Sequence, residues 1–441
     1  MGSMEETRKI VSDLYDFRDH YFEQHSIEEA GLKLERVEAE VKKVLGLLDE
    51  VQGKEDAINK AELCMLRGKV LNVLPSYDVK AEELLSKAVK LDPKLSEAWL
   101  HLGETYWKKK DVEGAKNCFL GALNHGADKR ALRNLSMVLR QIGKSNEERM
   151  ENVKTSVDKA KEAVQLDIKD GVSWYILGNA YMSLFFASSQ SPKIFKQCLS
   201  AYQQADKDPI ASNQADLHFN RAVALKYQED YEQALQGFHR AKSLDPTWNE
   251  PAEEETRLKG YLSRLQMLVY AKGKLKNKKI HTLTSALKDS DLGPFKEKGG
   301  AKEKGGANKE DVFEHVAFAD VVDGDDVGKV VVGKVVCSIM SDDPVPFTFC
   351  LVDKAEECVA VSVYNLAVGG GFKVGDSVAI PAPSVANVDF TYQDEKFQFK
   401  KIRVANPLNL VINGKLFNRN QQAPTSLSTS VVSDLYTDSN T

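Results

Sequence analysis

The chain reads as an all-α solenoid of short helical repeats followed by an all-β domain, the two joined by a polar tether. Three observations carry this reading. A pattern of Trp, Leu, Gly and Tyr, followed by Ala and a large aromatic, recurs within residues 61–290. The block Lys-Glu-Lys-Gly-Gly-Ala stands twice in tandem, at 296–301 and 302–307. From residue 313 onward the apolar period changes to two, with Val, Phe and Thr enriched. Period-two alternation marks strands, and a fixed repeat of tens of residues marks a stacked architecture.

Residues 5–60 open the chain with Ile10, Leu14, Phe17 and Tyr21 at helical spacing, then a charged stretch from Leu32 to Leu48. This predicts one or two long helices packing on the repeats. The repeats themselves occupy 61–290. Trp99, Leu102, Gly103 and Tyr106, then Ala115, Phe119 and Ala122, follow the W-x2-L-G-x2-Y and A-x3-F-x2-A pattern of a tetratricopeptide repeat. Trp174, Leu177, Gly178 and Tyr181, then Cys198, Tyr202 and Ala205, repeat it. A further copy reads Asn220, Arg221, Ala222 and Leu225, then Ala234, Phe238, Ala241 and Pro246, and an earlier one has Gly68, Ala81, Leu85, Ala88 and Pro93. Leu132, Leu135, Ser136 and Leu139 lie 33 residues after Trp99, Leu102, Gly103 and Tyr106, so they mark a degenerate repeat. No such unit buries its apolar face alone, which forces stacking into a superhelix. Trp248 to Tyr270 has the length of a capping helix.

Residues 291–312 are too polar to bury and predict a flexible linker. Residues 313–419 offer strands at Val330–Ile339, Phe347–Val352, Cys358–Leu366, Ser377–Ile380 and Phe397–Val404, with a last apolar piece at Leu408–Ile412. About five short strands in such a length suit a barrel of the OB type, with a β-sandwich as the alternative. The barrel is expected to borrow little core from the segments before its linker. The Ser/Thr/Asn-rich tail, 420–441, is expected to be disordered.

Composition narrows the function. Of 441 residues 28% are charged, and a net charge of −5 provides no global attraction to nucleic acid or to an anionic membrane. The longest apolar runs, such as Val330-Val331-Val332, are cut by Gly and Lys within a few residues, so no membrane span is expected. The six cysteines are scattered without C-x-x-C spacing, and with no signal peptide at the start they are expected to be reduced thiols in the cytosol or nucleus. The eight histidines show no metal-ligating spacing, and phosphate-loop and nucleophile-elbow motifs are absent. The expectation is a non-enzymatic protein without cofactor or metal.

Binding is expected in the repeat groove. With the consensus Trp at position 4, positions 2, 5, 9 and 12 of each first helix face the inner surface. Arg140 is position 12 of the degenerate repeat and Asn179 position 9 of the next. Asp216 and Asn220 are positions 2 and 6 of the one after, and Glu250 is position 2 of the capping helix. Taken singly, each reads equally as a solvated surface residue, but together they converge from four successive helices. The acidic end, continued by Glu253, Glu254 and Glu255, would repel an acidic peptide terminus and suits a basic residue or free amino group. Arg140 suits a carboxylate.

Five lysines fall within the eight residues 272–279. Among them Lys274, Lys276, Lys278 and Lys279 are either a basic helix end complementing a C-terminal dipole or a phosphate-contacting patch. The β domain carries Phe347, Phe349, Tyr364, Phe397 and Phe399, which could stack on bases, yet it holds 14 acidic against 10 basic residues over 313–419. That balance favours packing or protein contact over nucleic acid.

Repeats, linker and barrel in this order resemble the Strap family, also called tetratricopeptide repeat protein five. The resemblance rests on Leu14-Tyr15-Asp16-Phe17-Arg18-Asp19 with Tyr21-Phe22, on Lys80 to Leu91, on Asn134 to Gln141 and on Ser173 to Asn179. Val345 to Phe349 and Gly375 to Pro381 also match, and the similarity runs from about residue 13 to 415. The duplicated linker block and the tail depart from it. The resemblance implies a stress-responsive cofactor that also recognises nascent tubulin, reading Met-Arg-Glu followed by Ile or Cys as the chain leaves the ribosome. Arg140, Asp216 and Glu250 carry over as groove residues, and Lys276 and Lys278 as contacts to ribosomal RNA. It further implies an mRNA-decay adaptor as partner, or, in the other reading, a nuclear scaffold for an acetyltransferase coactivator, hence a cytoplasmic and nuclear protein.

Overall fold

A computed structural model describes residues 4–52, 60–188, 190–296, 313–339, 345–367 and 370–423. The chain divides into two compact units, one running to Glu255 and the other from Thr256 to Pro424.

The first unit opens with α1 (Met4–Asp19), α2 (Tyr21–Gln24), a 3-10 segment Ile27–Leu32 and α3 (Lys33–Gln52). Five helix pairs follow: α4 (Lys60–Leu71) with α5 (Val79–Leu91), α6 (Ser96–Lys108) with α7 (Val112–Leu123), and α8 (Lys129–Leu139) with α9 (Asn146–Leu166). The last two are α10 (Gly171–Ala187) with α11 (Pro192–Ala205), and α12 (Ala215–Gln228) with α13 (Tyr231–Leu244). Aspartates start many of these helices. Asp78, Asp111, Asp128, Asp170 and Asp230 each accept hydrogen bonds from backbone N–H groups of the first turn, which have no intrahelical partner.

The consensus residues have definite jobs. A Cβ on Gly103 would sit 2.5 Å from the Phe119 ring, and one on Gly178 would sit 2.6 Å from the Tyr202 ring. The glycine therefore lets the partner helix's aromatic ring approach the backbone closely. Both consensus tryptophans act alike: Trp99 Nε1 donates to Pro93 O at 2.8 Å and Trp174 Nε1 to Ile168 O at 2.9 Å. Each indole ties its helix to the turn that precedes it.

The helix α14 (Glu250–Tyr270) begins in the first unit, and most of its length belongs to the second. A 3-10 turn (Lys272–Lys274), α15 (Asn277–Ser285) and a 3-10 segment (Asp289–Phe295) follow. The strands are β1 (Glu314–His315), β2 (Gly324–Asp325), β3 (Lys329–Ile339), β4 (Phe347–Val352) and β5 (Cys358–Val363). Next come β6 (Ser377–Pro381), β7 (Ser384–Tyr392), β8 (Glu395–Val404), β9 (Val411–Ile412) and β10 (Lys415–Leu416). Along the sheet β3 pairs β4, β4 pairs β5, β5 pairs β8 in parallel and β8 pairs β7. Because β7 continues β6 past Ala382 and Pro383, and β6 pairs back to β3, the circuit closes. β3 pairs β6 over residues 330–334 and β4 over residues 334–339, and it carries a bulge between Val335 and Cys337. This is the OB-type barrel expected from the sequence. Val331, Val335, Leu351, Val361, Val378 and Ile402 are among its interior residues.

Three boundaries differ from expectation. The barrel's unit begins at Thr256, inside the stretch assigned to the repeats. Leu287 and Leu292 close with Val330, Val332, Ala379 and Val411 into one cluster, so the first residues of the expected linker are barrel packing. Tyr261 Oη lies 2.9 Å from Thr348 Oγ1, and Gln266 Nε2 donates to Lys396 O at 3.1 Å. The barrel thus leans on residues before its linker, contrary to expectation. At the other end Ala423 N donates to Asn365 O at 2.8 Å, so residues 420–423 are ordered against the barrel. The duplicated linker block from 297 on and the tail from 424 lie outside the described residues. The strand β7 was missed because Asn387 and Asp389 face outward and break the apolar run.

Candidate functional site

Four of the five residues expected in the groove sit on the first helices of successive repeats or at their ends, and the fifth starts α14. Arg140 follows α8 and is buried, its Nε donating to Ser136 O at 3.4 Å. Asn179 on α10 is fully buried and its Oδ1 accepts from Tyr202 Oη at 2.6 Å. Asn220 on α12 is buried and its Nδ2 donates to Tyr175 Oη at 2.9 Å. The two amides are therefore joined to tyrosines, Asn179 linking the helices of one repeat and Asn220 bridging to the repeat before. Asp216 is half-buried in the first turn of α12, and Glu250 is exposed in the first turn of α14.

The structure adds an element that position counting did not reveal. The N-terminal segment lies on the first helices of the repeats. Tyr15 Oη donates to Lys69 O at 2.9 Å on α4, and its ring meets His101 of α6 at 5.9 Å. Further along, a Cβ on Gly31 would lie 3.7 Å from Pro246, just past α13. Two residues past Gly31, Lys33 comes under the influence of Asp216. Burial and the neighbouring Arg18 pull the Lys33 pKa below the usual lysine range, against Asp19, Asp245 and Asp216. The chain's own Lys33 thus comes within electrostatic range of Asp216, one of the anions expected to receive a peptide's cation.

A second charged network lies on α6 and α8. His101 is fully buried, with Nδ1 2.8 Å from Glu104 Oε2 and Nε2 3.1 Å from Arg130 Nη2. Glu104 also accepts from Asn72 Nδ2 at 3.0 Å and Asn134 Nδ2 at 3.3 Å. Burial opposes its ionisation, but His101, Arg130 and Lys108 outweigh that and hold its carboxyl well below the usual range. Glu97 is likewise held low, first by its hydrogen bond to His101 and, against burial, by Lys69. Burial drives Lys108 down to about 7 while Glu104 pulls the other way. Its Nζ donates to Asn72 Oδ1 at 2.9 Å and Leu74 O at 2.7 Å. The position rule, carried to α6 and α8, does contain the signal: Glu97 and Glu104 stand at positions 2 and 9, and Arg130 and Arg133 at 2 and 5. Arg133 Nη1 pairs with Asp170 Oδ2 at 2.7 Å.

The basic run is exposed at Lys274, Lys276, Lys278 and Lys279, and none of these four makes an ion pair among the described residues. The dipole explanation offered for it does not hold at Lys278 and Lys279. They occupy the first turn of α15, the end whose partial charge is positive and disfavours cations. The barrel aromatics are interior: Phe349 and Phe397 are fully buried, Phe399 and Tyr364 nearly so, and Phe347 is packed against the core. Arg403 covers the Tyr364 ring at 3.9 Å. Among the described residues no three or more His, Cys, Asp or Glu gather as a metal would need, and no helix is long and apolar enough to cross a membrane.

Residues 312–426 match the profile described as tetratricopeptide repeat protein 5 OB fold domain, and 96–124 and 215–248 match tetratricopeptide repeat profiles. Tetratricopeptide repeat protein 5 of Homo sapiens is 47% identical over 422 residues, 95% of this chain and 95% of its own. The chain belongs to the tetratricopeptide repeat protein 5 family. The family's proteins from Mus musculus and Bos taurus share the same identity and coverage. Among solved structures, YrrB, described as a TPR protein with an unusual peptide-binding site, aligns over 47% of this chain and 97% of its own, at 21% identity and a TM-score of 0.32. Family membership accounts for the order of repeats and OB barrel, the form of an adaptor that binds partner proteins.

Proposed function

We propose that this protein is a non-enzymatic adaptor that reads the N-terminal peptide of nascent tubulin on the first-helix face of its repeats. The observation that carries the reading is the charge order along that face: a buried cation at Arg140, then anions at Asp216 and Glu250. A peptide beginning Met-Arg-Glu presents the opposite order, its amino terminus and Arg toward the anions and its Glu toward Arg140. Each charge-assisted contact in a half-desolvated groove contributes roughly 1.5–3 kcal/mol. The exposed lysines at 274, 276, 278 and 279 dock the adaptor on ribosomal RNA, contacting phosphate without reading sequence. The bound complex then recruits a partner that commits tubulin mRNA to decay, which requires a cytoplasmic pool.

The test is calorimetric titration of the full chain with Met-Arg-Glu-Ile and with its Met-Glu-Arg-Ile scramble. Swapping the charges, or introducing Arg140→Ala or Asp216→Ala, weakens binding at least about tenfold, equal to roughly 1.4 kcal/mol. Equal affinity for both peptides would sink the reading.

A further inference from the structure

Three cysteines that the sequence scatters over 22 positions come together on one face of the barrel. Cys337 on β3 is the register partner of Cys350 on β4, and Cys358 on β5 is the partner of Val352, two residues along from Cys350. All three are free; Cys350 is buried, and Cys337 and Cys358 are half-buried. The bulge decides the meeting. An unbulged β3 would present Val336 opposite Cys350, and the extra residue shifts Cys337 into that place.

Register also decides which pair can react. Directly opposed residues of antiparallel strands have Cα atoms about 4.5–5.5 Å apart, inside the roughly 4.4–6.8 Å range of disulfides. Diagonal neighbours such as Cys350 and Cys358 stand about 7–8 Å apart, beyond it. We propose that Cys337 and Cys350 form a peroxide-oxidisable thiol pair that closes to a disulfide across β3 and β4, with Cys358 left out by register.

The surroundings suit an initial attack by Cys337. The turn Lys272–Lys274 presses on β3 there: a Cβ on Gly273, whose φ is +68°, would lie 2.8 Å from Val336 O and 3.1 Å from Cys337 Cβ. Lysines therefore flank the residue that covers this thiol, although Lys272 is shared with Glu356 at 3.8 Å. Positive charge and partial exposure favour a thiolate. A hydrogen bond with Cys350 also lowers the Cys337 pKa, and contact with its two neighbours raises that of Cys350. The Cys337 thiolate attacks the peroxide O–O bond, its sulfur is oxidised to sulfenic acid, and one water leaves. The Cys350 sulfur then attacks the sulfenic sulfur; the S–S bond forms, the S–O bond breaks and a second water departs. One hydrogen peroxide and two thiols thus become one disulfide and two waters.

The reduced full-length protein is exposed to a small excess of hydrogen peroxide, denatured with an alkylating agent and digested with trypsin. Cleavage after Lys334 and Lys354 releases one peptide that carries both Cys337 and Cys350, while Cys358 falls in the next, ending at Lys373. The expected product is the first peptide unalkylated and lighter by two hydrogens, with the second fully alkylated. Reduction before alkylation restores label at both cysteines. Cys358→Ser leaves the product unchanged and Cys337→Ser removes it. A first peptide alkylated at both positions overturns the proposal. So does a cross-link to the Cys358 peptide, or a sulfinic acid on Cys337 beside a free Cys350.

Discussion

Replacing Glu104 by Gln tests whether the buried network of α6 and α8 holds the repeats together. Gln keeps the shape but can accept from only one of Asn72 Nδ2 and Asn134 Nδ2, which reach opposite oxygens of the carboxylate at 3.0 and 3.3 Å. The negative charge is lost, which leaves Arg130, Lys108 and His101 facing one another with Glu97 as the nearest anion. The Glu104 side chain is only 19% exposed, so solvent compensates little. Removing one partner of a buried charge pair costs about 3–5 kcal/mol, and because Glu97 still contacts His101 the lower end, about 3 kcal/mol, is expected. For a unit of this size that is roughly 6–12 °C in the helical melting transition, followed by circular dichroism. Acid adds a sharper readout. The folded carboxyl ionises below its ordinary value of 4.5, so its stabilisation is complete above that pH and is lost as pH falls toward the folded value. Each pH unit below 4.5 removes about 1.4 kcal/mol, and the gap between wild type and Glu104→Gln shrinks by about 2 kcal/mol between pH 5 and pH 3. Melting points that agree at neutral pH, or a gap that does not change in acid, would refute the reasoning.

Tyr175→Phe strips the buried Nδ2 of Asn220 of its acceptor and is expected to lower stability by about 1–3 kcal/mol in urea unfolding; a loss under about 0.5 kcal/mol would mean that the amide finds another partner. Lys276→Glu with Lys278→Glu should abolish co-sedimentation with ribosomes and leave peptide affinity unchanged. Because a carboxylate suits the start of α15, the melting point should hold or rise, so a fall in stability would remove the docking interpretation. Residues 310–424 should melt well below residues 256–424, since Leu287 and Leu292 alone contribute about 1.5–3 kcal/mol each; coincident melting curves would show that the preceding segment is ornamental to the barrel.

The helical half was legible wherever its signal was local. Trp99, Gly103 and Phe119 fall at fixed spacing because each repeat packs mainly on itself and its neighbours, so the spacing alone carries the contact. The barrel was legible where strands are apolar, and failed at β7, whose buried residues Val385, Val388 and Tyr392 do not fall at a period of two. The candidate groove was half legible. Counting positions singled out Arg140, Asp216 and Glu250 as candidates, but it could not say that Asn179 and Asn220 are bonded to tyrosines inside the repeats. Nor did it reach His101, which looks on paper like any solitary histidine.

By itself, then, the sequence determined the repeat count, the helix pairs, the identity of the residues between them and, β7 apart, the long strands of the barrel. These follow from propensity and short-range periodicity, which any window of the chain contains. Tertiary structure alone decided that Tyr15 meets Lys69 and His101, that Gly31 reaches Pro246, and that Leu287 and Leu292 belong to the barrel. It alone set Cys337 opposite Cys350, through one extra residue in β3. Such meetings depend on the path of the chain between distant segments, and a one-residue change of register turns every side chain beyond it to the other face.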